Sequence, residues 1–412
     1  MNKSTISRRD FITRTSAGVA SFVVLKDLKK PKKSRVKSKP GEIIFRSLGK
    51  TGIELPVVSM GVMNADNPEL VKRAYEMGIR HFDTAWNYQG GNNEKMVGKV
   101  INELGVRDKV IIATKTLTIA NRRRFTNLKD LNNITPADGT PIEEHVKNTF
   151  LYMFNESLQR LNMDYVDILY IHNIEDPAII DYAPYKEAIT QLKKEKKIRF
   201  SGVSTHKNEI AVLNKMSEMK FYDVALVGIN FKYGRRDKIL QAMKSAHDNG
   251  IAQIAMKTQG VVEWMHGDPN THHPAALEWV MQNEFIGTAV PGFTTFDQLE
   301  EDMTVARDIT LTDEEKNYIN NFKDYRYGIK IQCEQCGLCL NTCTGNANVP
   351  DLMRTYMYAA GYQNYVHSRE TYELISEKNN LSNCKNCRSC KAECARGIDI
   401  DSSIRQLKAI YC

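Results

Sequence analysis

Thiolates set a few residues apart hold metal, and this chain spends most of its cysteine that way. Eight of its nine cysteines fall in two runs of one form: Cys333, Cys336, Cys339, Cys343 and Cys384, Cys387, Cys390, Cys394. Each run reads C-x2-C-x2-C-x3-C, in which three close thiolates wrap one iron-sulfur cube and the fourth reaches a second. The expected ligation is therefore crossed, Cys333, Cys336 and Cys339 taking Cys394, and Cys384, Cys387 and Cys390 taking Cys343. Zinc is the competing reading of four thiolates. Its sites are usually built from separated C-x2-C knuckles, so the continuous runs favour two 4Fe-4S clusters. Disulfides are a weaker alternative at spacings this short and repeated. Thr344 and Ala395 stand where a proline commonly follows the fourth cysteine, which loosens the turn and leaves the ligand count intact. Cys412 reads as a bystander.

A second set of chemical groups lies far upstream, at the ends of short apolar runs. Between residues 41 and 325 such runs alternate with helix-period segments such as Pro68 to Met77 and Asn93 to Leu104. The runs are Val57 to Gly61, Ile79 to Asp83, Val110 to Lys115, Val166 to His172, Ile198 to Ser204, Asp223 to Asn230, Ile251 to Lys257 and Ile286 to Gly292. Eight strand-helix units in this length fit an α/β fold of the closed (β/α)8 TIM barrel type. An open doubly wound sheet is the runner-up, and the segment after Gly61 lacks the glycine-rich phosphate loop it would carry. Barrel chemistry sits at the C-terminal ends of the strands, which are occupied here by Asp83, Lys115 and His172, with Tyr88 in the loop after the second strand. Each alone reads as structural; together they form a proton-handling group.

The segments Phe82 to Tyr88, Ala113-Thr114-Lys115 and Asp167 to His172 resemble the tetrad of the aldo-keto reductase family. Phe45 to Gly52 resembles its barrel-plugging hairpin, Gly202-Val203-Ser204 its cofactor amide clamp, and Val290-Pro291-Gly292 the start of its adenosine loop. The C-terminal extension resembles a branch of the family fused to a small, mainly helical, ferredoxin-like two-cluster domain over residues 326–412. Residues 344 to 383, short of strand alternation, read as helical. The resemblance implies hydride from NADP or NAD lying across the strand ends, held at the positions of Gly61, Asp83, Ser204, Thr205, Gly292, Thr295 and Gln298; Lys257 stands near where the family often stacks an aromatic and reads as a partner of a pyrophosphate or of a substrate carboxylate, or as a plain surface lysine. Thr205, Gly228, Gly292 and Gln298 depart from the family's Asn, Gln, Lys and Arg, which thins the grip on amide and 2'-phosphate.

Carbonyl reduction needs a hydride donor, an acid for the developing alkoxide and a group that polarises C=O. In the tetrad Lys115 is expected to lower the pKa of Tyr88, Asp83 to hold Lys115 charged, Tyr88 to exchange the proton, and His172 to hydrogen-bond the substrate oxygen. A small carbonyl or alcohol substrate follows. Nicotinamide moves two electrons and a cube one, so the clusters are expected to relay electrons to a partner protein, or simply to brace the C-terminal module, or to feed the site without soluble NADPH; an electron-transfer or docking subunit is the alternative without catalysis.

The formal charge of +8 is confined to residues 1–40, which hold twelve Lys or Arg against two Asp. Beyond them the chain is near neutral, which argues against a nucleic-acid partner. In that leader, Ser7-Arg8-Arg9-Asp10-Phe11-Ile12 and the apolar stretch Ala17 to Leu25 resemble a twin-arginine export signal, predicting periplasmic or exported residence, with the cytoplasm as alternative. No clean cleavage site follows Leu25, so the basic run Lys26 to Lys39 is expected to lie on an anionic membrane surface or to act as a solvated linker. The insertion Leu117 to Pro141, with Arg122-Arg123-Arg124, reads as a lid that sets substrate choice or as a solvated loop. His266, His272 and His273 read as a substrate-side or solvent feature rather than a metal site.

Overall fold

The computed structural model describes residues 41–120, 123–259, 273–321, 333, 335–385, 387, 389–395 and 397–411. The leader, His266, His272, Arg122 and Cys412 lie outside them, and of Arg123 and His273 only the backbone is described.

A hairpin of β1 (Phe45–Ser47) and β2 (Glu54–Pro56) opens the described chain. Its Leu48, Ile53 and Leu55 are buried against Ala113, Ile168, Tyr170, Val224 and Ala252, side chains that fill the barrel interior. The expected plug is therefore present. The main sheet takes the eight expected runs as parallel strands: β3 (Met60–Gly61), β4 (His81–Asp83), β5 (Ile111–Thr116), β8 (Val166–Ile171), β9 (Ile198–Thr205), β10 (Val224–Gly228), β11 (Ala252–Met256) and β12 (Ile286–Ala289). Parallel bridges from Val58 to Ala289 and from Gly61 to Gly292 join its first and last strands and close the ring. All six residues of β8 are buried, as both faces of a parallel strand covered by helices must be. Gly202 is required in β9: a Cβ there would meet the Tyr170 ring at 2.5 Å and the Val224 carbonyl at 2.6 Å.

Helices start where the sequence offers caps. Asn67 accepts from the Glu69 N–H at 3.0 Å ahead of Pro68–Glu76, with Pro68 at the first position. Thr295 and Gln298 form a reciprocal capping box on Phe296–Val305. The insertion after β5 folds into a two-residue-strand hairpin, β6 (Ile119–Ala120) with β7 (Arg123–Arg124), and a 3₁₀ turn over Leu128–Asn133.

The cysteine-rich segment is helical, as expected, with a core of its own that includes Val349, Leu352, Met353, Leu381, Ile404 and Leu407. Its helix Val349–Tyr356 runs into a π-helical turn, Met357–Gly361, followed by Tyr365–Glu373. This stretch packs on the mouth of the barrel: Asn364 donates to Asn64 at 3.0 Å, and the Tyr88 and His367 rings meet edge to face at 5.6 Å. Among the described residues no helix is long and apolar enough to cross a membrane.

Candidate active site

Tyr88 begins a tight turn, Tyr88–Gly91, in which Gln89 and Gly90 take positive φ. Gln89 ties the turn down by donating to the carbonyls of Met63 and Ala65, both at 3.1 Å. Behind it, buried Glu94 accepts from Thr114 at 2.6 Å and from Arg160 at 3.3 Å, and Arg160 also donates to the Trp86 carbonyl at 2.7 Å. That network ties the Tyr88 loop to β5 and to the helix Ile142–Leu161.

On this frame the strand ends converge. Lys115 donates to Asp83 Oδ1, to the Thr84 carbonyl at 2.7 Å and to the Tyr88 hydroxyl at 3.4 Å. The His172 ring stands edge-on to Tyr88 at 5.8 Å. Burial pushes Lys115 down and the Asp83 carboxylate opposes it; burial pushes Asp83 up and the Lys115 ammonium opposes that. Burial sets the direction for both, Asp83 raised and Lys115 lowered, and their direct contact limits each shift. For Tyr88 the balance differs from expectation. Burial, then the Asp83 charge, drives its pKa well above the ordinary tyrosine value, and Lys115 at 3.4 Å does not reverse this. The phenol is therefore held protonated, an acid rather than a base. His172 is driven well below the usual histidine range by burial and by Lys115, so its ring is neutral.

Two connected spaces meet at Tyr88. One is a groove of about 320 Å³, lined by Gly61, Asp83, Lys257, Gly292 and Gln298 among others. Its floor is backbone, since a Cβ on Gly61 would meet the Val290 carbonyl at 3.1 Å. Lys257, Thr294 and Gln298 offer it an ammonium, a hydroxyl and an amide, a donor set that fits the phosphate end of a dinucleotide. The expected amide clamp does not face this groove. Ser204 and Thr205 are fully buried: Ser204 Oγ accepts from the Asn173 N–H at 2.8 Å, and Thr205 Oγ1 donates to the carbonyls of Ile174, at 2.7 Å, or Lys207, at 2.8 Å. Nor does Thr295, which caps a helix; Thr294 lines the groove instead. Gly228 has no Gln counterpart because His206 fills the space, a Cβ there meeting His206 Cβ at 2.6 Å.

The second, smaller space is lined by Tyr88, His172, Asn173, Arg124, His206, Lys257, and by Arg354, Tyr358 and His367 from the cysteine-rich segment. Sequence reasoning placed none of the last three, nor His206, in the site. The sequence carried little signal for them, since Arg354 has Asp351 three residues before it and His367 has Glu370 and Thr371 three and four residues after it, so neither stands out as a polar residue on an apolar face.

The cysteines assemble in the crossed pattern. Cys333, Cys336, Cys339 and Cys394 line one cavity, and Cys343, Cys384, Cys387 and Cys390 line another. Each set of four lines a space of its own. Burial and neighbouring thiols push Cys333 up to about 12 and Cys339 and Cys384 up to about 11, a repulsion that a cationic metal cluster would reverse.

A profile described as the Aldo/keto reductase family matches residues 59–262, the strands and loops that carry the tetrad. The barrel is an aldo/keto reductase domain. A profile of the 4Fe-4S dicluster domain matches residues 332–399, so the reductase domain is followed by a dicluster domain, and the chain is an oxidoreductase. L-galactose dehydrogenase of Arabidopsis thaliana is 27% identical over 311 residues, 65% of this chain and 89% of its own length. L-glyceraldehyde 3-phosphate reductase of Escherichia coli O157:H7 is 22% identical over 334 residues, 67% of this chain and 91% of its own. Among solved structures, the aldo-keto reductase AKR11C1 from Bacillus halodurans in its holo form superposes with a TM-score of 0.52 at 20% identity, over 68% of this chain and 96% of its own. That likeness concerns the reductase fold.

Proposed function

We propose that the chain reduces a small carbonyl compound to the alcohol, with Tyr88 delivering the proton. A nicotinamide nucleotide held by Gly61, Lys257, Thr294 and Gln298 would supply hydride to the carbonyl carbon. The observation that carries this reading is Lys115, which reaches Asp83 and the Tyr88 hydroxyl at once beneath the cavity. As negative charge grows on the substrate oxygen, Tyr88 passes its proton there, and Lys115, held by Asp83, stabilises the phenolate left behind. His172, neutral, donates a hydrogen bond to the same oxygen. The dicluster domain excludes water, which strengthens each of these interactions.

In this reading the two thiol sets hold two 4Fe-4S clusters. A second reading, in which electrons enter through the clusters, is favoured by one juxtaposition: Met353 lines a cysteine cavity while Arg354, its neighbour on the same helix, lines the Tyr88 cavity. Cluster and substrate would then be about one helix diameter apart, on the order of 10 Å. The twin-arginine leader makes export part of the proposal; cell fractionation after Arg8→Lys and Arg9→Lys should find the protein retained inside, and unaltered export would contradict it.

Anaerobic purification, iron analysis, identification of released nucleotide and a carbonyl-reduction assay test the whole. Nucleotide-dependent reduction is expected. Reduction driven only by chemically reduced clusters would move the electron source to the second reading, and no reduction by either route would refute the proposal.

A further inference from the structure

Among the described residues, the lining of the smaller space beside Tyr88 contains no carboxylate. Its charged members are three cations drawn from three parts of the chain: Arg124 from the insertion, Lys257 at the end of β11 and Arg354 from the dicluster domain. Each has only neutral partners. Arg124 donates to the Asn173 carbonyl at 2.8 Å, and its Nε is buried with no partner. Arg354, 5% exposed, donates to His206 Nδ1. Lys257 lies over the Tyr358 and Tyr362 rings, 5.4 and 5.2 Å from their centres. The nearby carboxylates have other partners, Glu175 with Lys207 at 2.6 Å, Asp351 with the neutral Asn348 amide at 2.6 Å, Glu370 with His367 at 3.3 Å and Asp83 with Lys115, while Glu175 Oε1 and Asp351 Oδ1 are buried without a hydrogen bond. Glu175 and Asp351 act on Arg124 only from outside the lining. Arg354 is buried, and Arg124 and Lys257 are half-buried beside it, so the three cations repel one another around one space and an anion there relieves the cost. A guanidinium fork suits a carboxylate in particular.

We propose that the substrate is a small carbonyl acid, its carboxylate gripped by Arg354 and Arg124 while its carbonyl oxygen meets Tyr88 and His172, with Lys257 left to the nucleotide groove that it also lines; this rests on the reading of Tyr88 as the proton donor. The cavity holds about 40 Å³. A single water needs roughly 10–15 Å³ on that measure, which points to an oxo acid of two or three carbons. The dicluster domain thereby sets the specificity of the reductase domain.

The test compares matched acids and neutral carbonyls, glyoxylate with glycolaldehyde and pyruvate with hydroxyacetone, on the anaerobically purified holoenzyme. The acids are expected to be preferred by roughly 100-fold in kcat/KM. Arg354→Met should collapse that preference, and Arg354→Lys should restore part of it. Binding of oxamate, an acid that is not turned over, gives a calorimetric readout independent of activity and should be lost in Arg354→Met. If iron content and visible spectrum report that this variant fails to fold, Arg124→Met replaces it. Reduction of neutral carbonyls as readily as acids, or without oxamate binding, overturns the anion site and leaves Tyr88 as donor. Oxamate binding with no carbonyl reduced overturns the reductase reading and leaves the anion site.

Discussion

At the scale of single residues, Asp83, Tyr88, Lys115 and His172 were legible because barrel strands deliver their last residues to one mouth, and polar groups there have no packing reason to exist. The acid state of Tyr88 was not legible. It depends on a roof of Tyr358, Tyr362 and His367, more than 250 residues away in sequence. Ser204 and Thr205 show the same limit: spacing placed them on the right strand but could not tell that neighbouring backbone takes their hydroxyls. A separate prediction concerns His81, fully buried with both ring nitrogens unpartnered. Burial, then Lys115, lowers its pKa to about 3 from an ordinary value of 6.5. A depressed histidine pKa means the unfolded chain binds the proton more readily. Stability is thus complete above pH 6.5 and is lost as pH falls toward about 3. Near pH 5 the loss from this residue should be about 2 kcal/mol. Denaturant unfolding at pH 7.5 and pH 5 should show a smaller pH dependence in His81→Leu; an identical dependence would contradict the assignment.

At the scale of elements, the eight barrel strands were readable because strands covered on both faces are apolar throughout, and the caps at Asn67 and Thr295 marked helix starts. The two-residue strands β6 and β7 were too short to leave a periodic pattern, yet they carry Arg124 to the cavity. The π-helical turn Met357–Gly361 was equally invisible, because one residue added to a helical turn alters no hydrophobic period enough to notice. Close crossings leave clearer marks. Gly98, in the helix Asn92–Leu104, faces the end of the helix Ile142–Leu161 so closely that a Cβ would overlap the Leu161 backbone. Gly98→Ala should therefore destabilise by about 1–3 kcal/mol despite its better helix propensity. Thermal unfolding checks the sign: a rise in Tm would mean that the crossing is looser than described.

At the scale of the whole molecule, the dicluster domain, expected from its cysteine runs as an electron-handling extension, packs over the mouth of the barrel and lines the space beside Tyr88. Its core is small, and a segment of this size needs a staple beyond hydrophobic burial. The clusters supply it in the proposed account, so anaerobic iron removal should raise hydrogen exchange across residues 349–373 while the barrel strands stay protected. Unchanged protection there would separate the clusters from the roof. The charge distribution belongs to this scale too, since the excess Lys and Arg sit in the leader rather than on the folded body. The central claim, that Tyr88 is the proton donor of a roofed reductase site, is tested most directly by Tyr88→Phe. Carbonyl reduction by wild type and variant should be compared with iron content and nucleotide binding measured on the same samples. The account predicts a fall in kcat of roughly 100- to 10,000-fold with iron and nucleotide retained; turnover within a few-fold of wild type would contradict it.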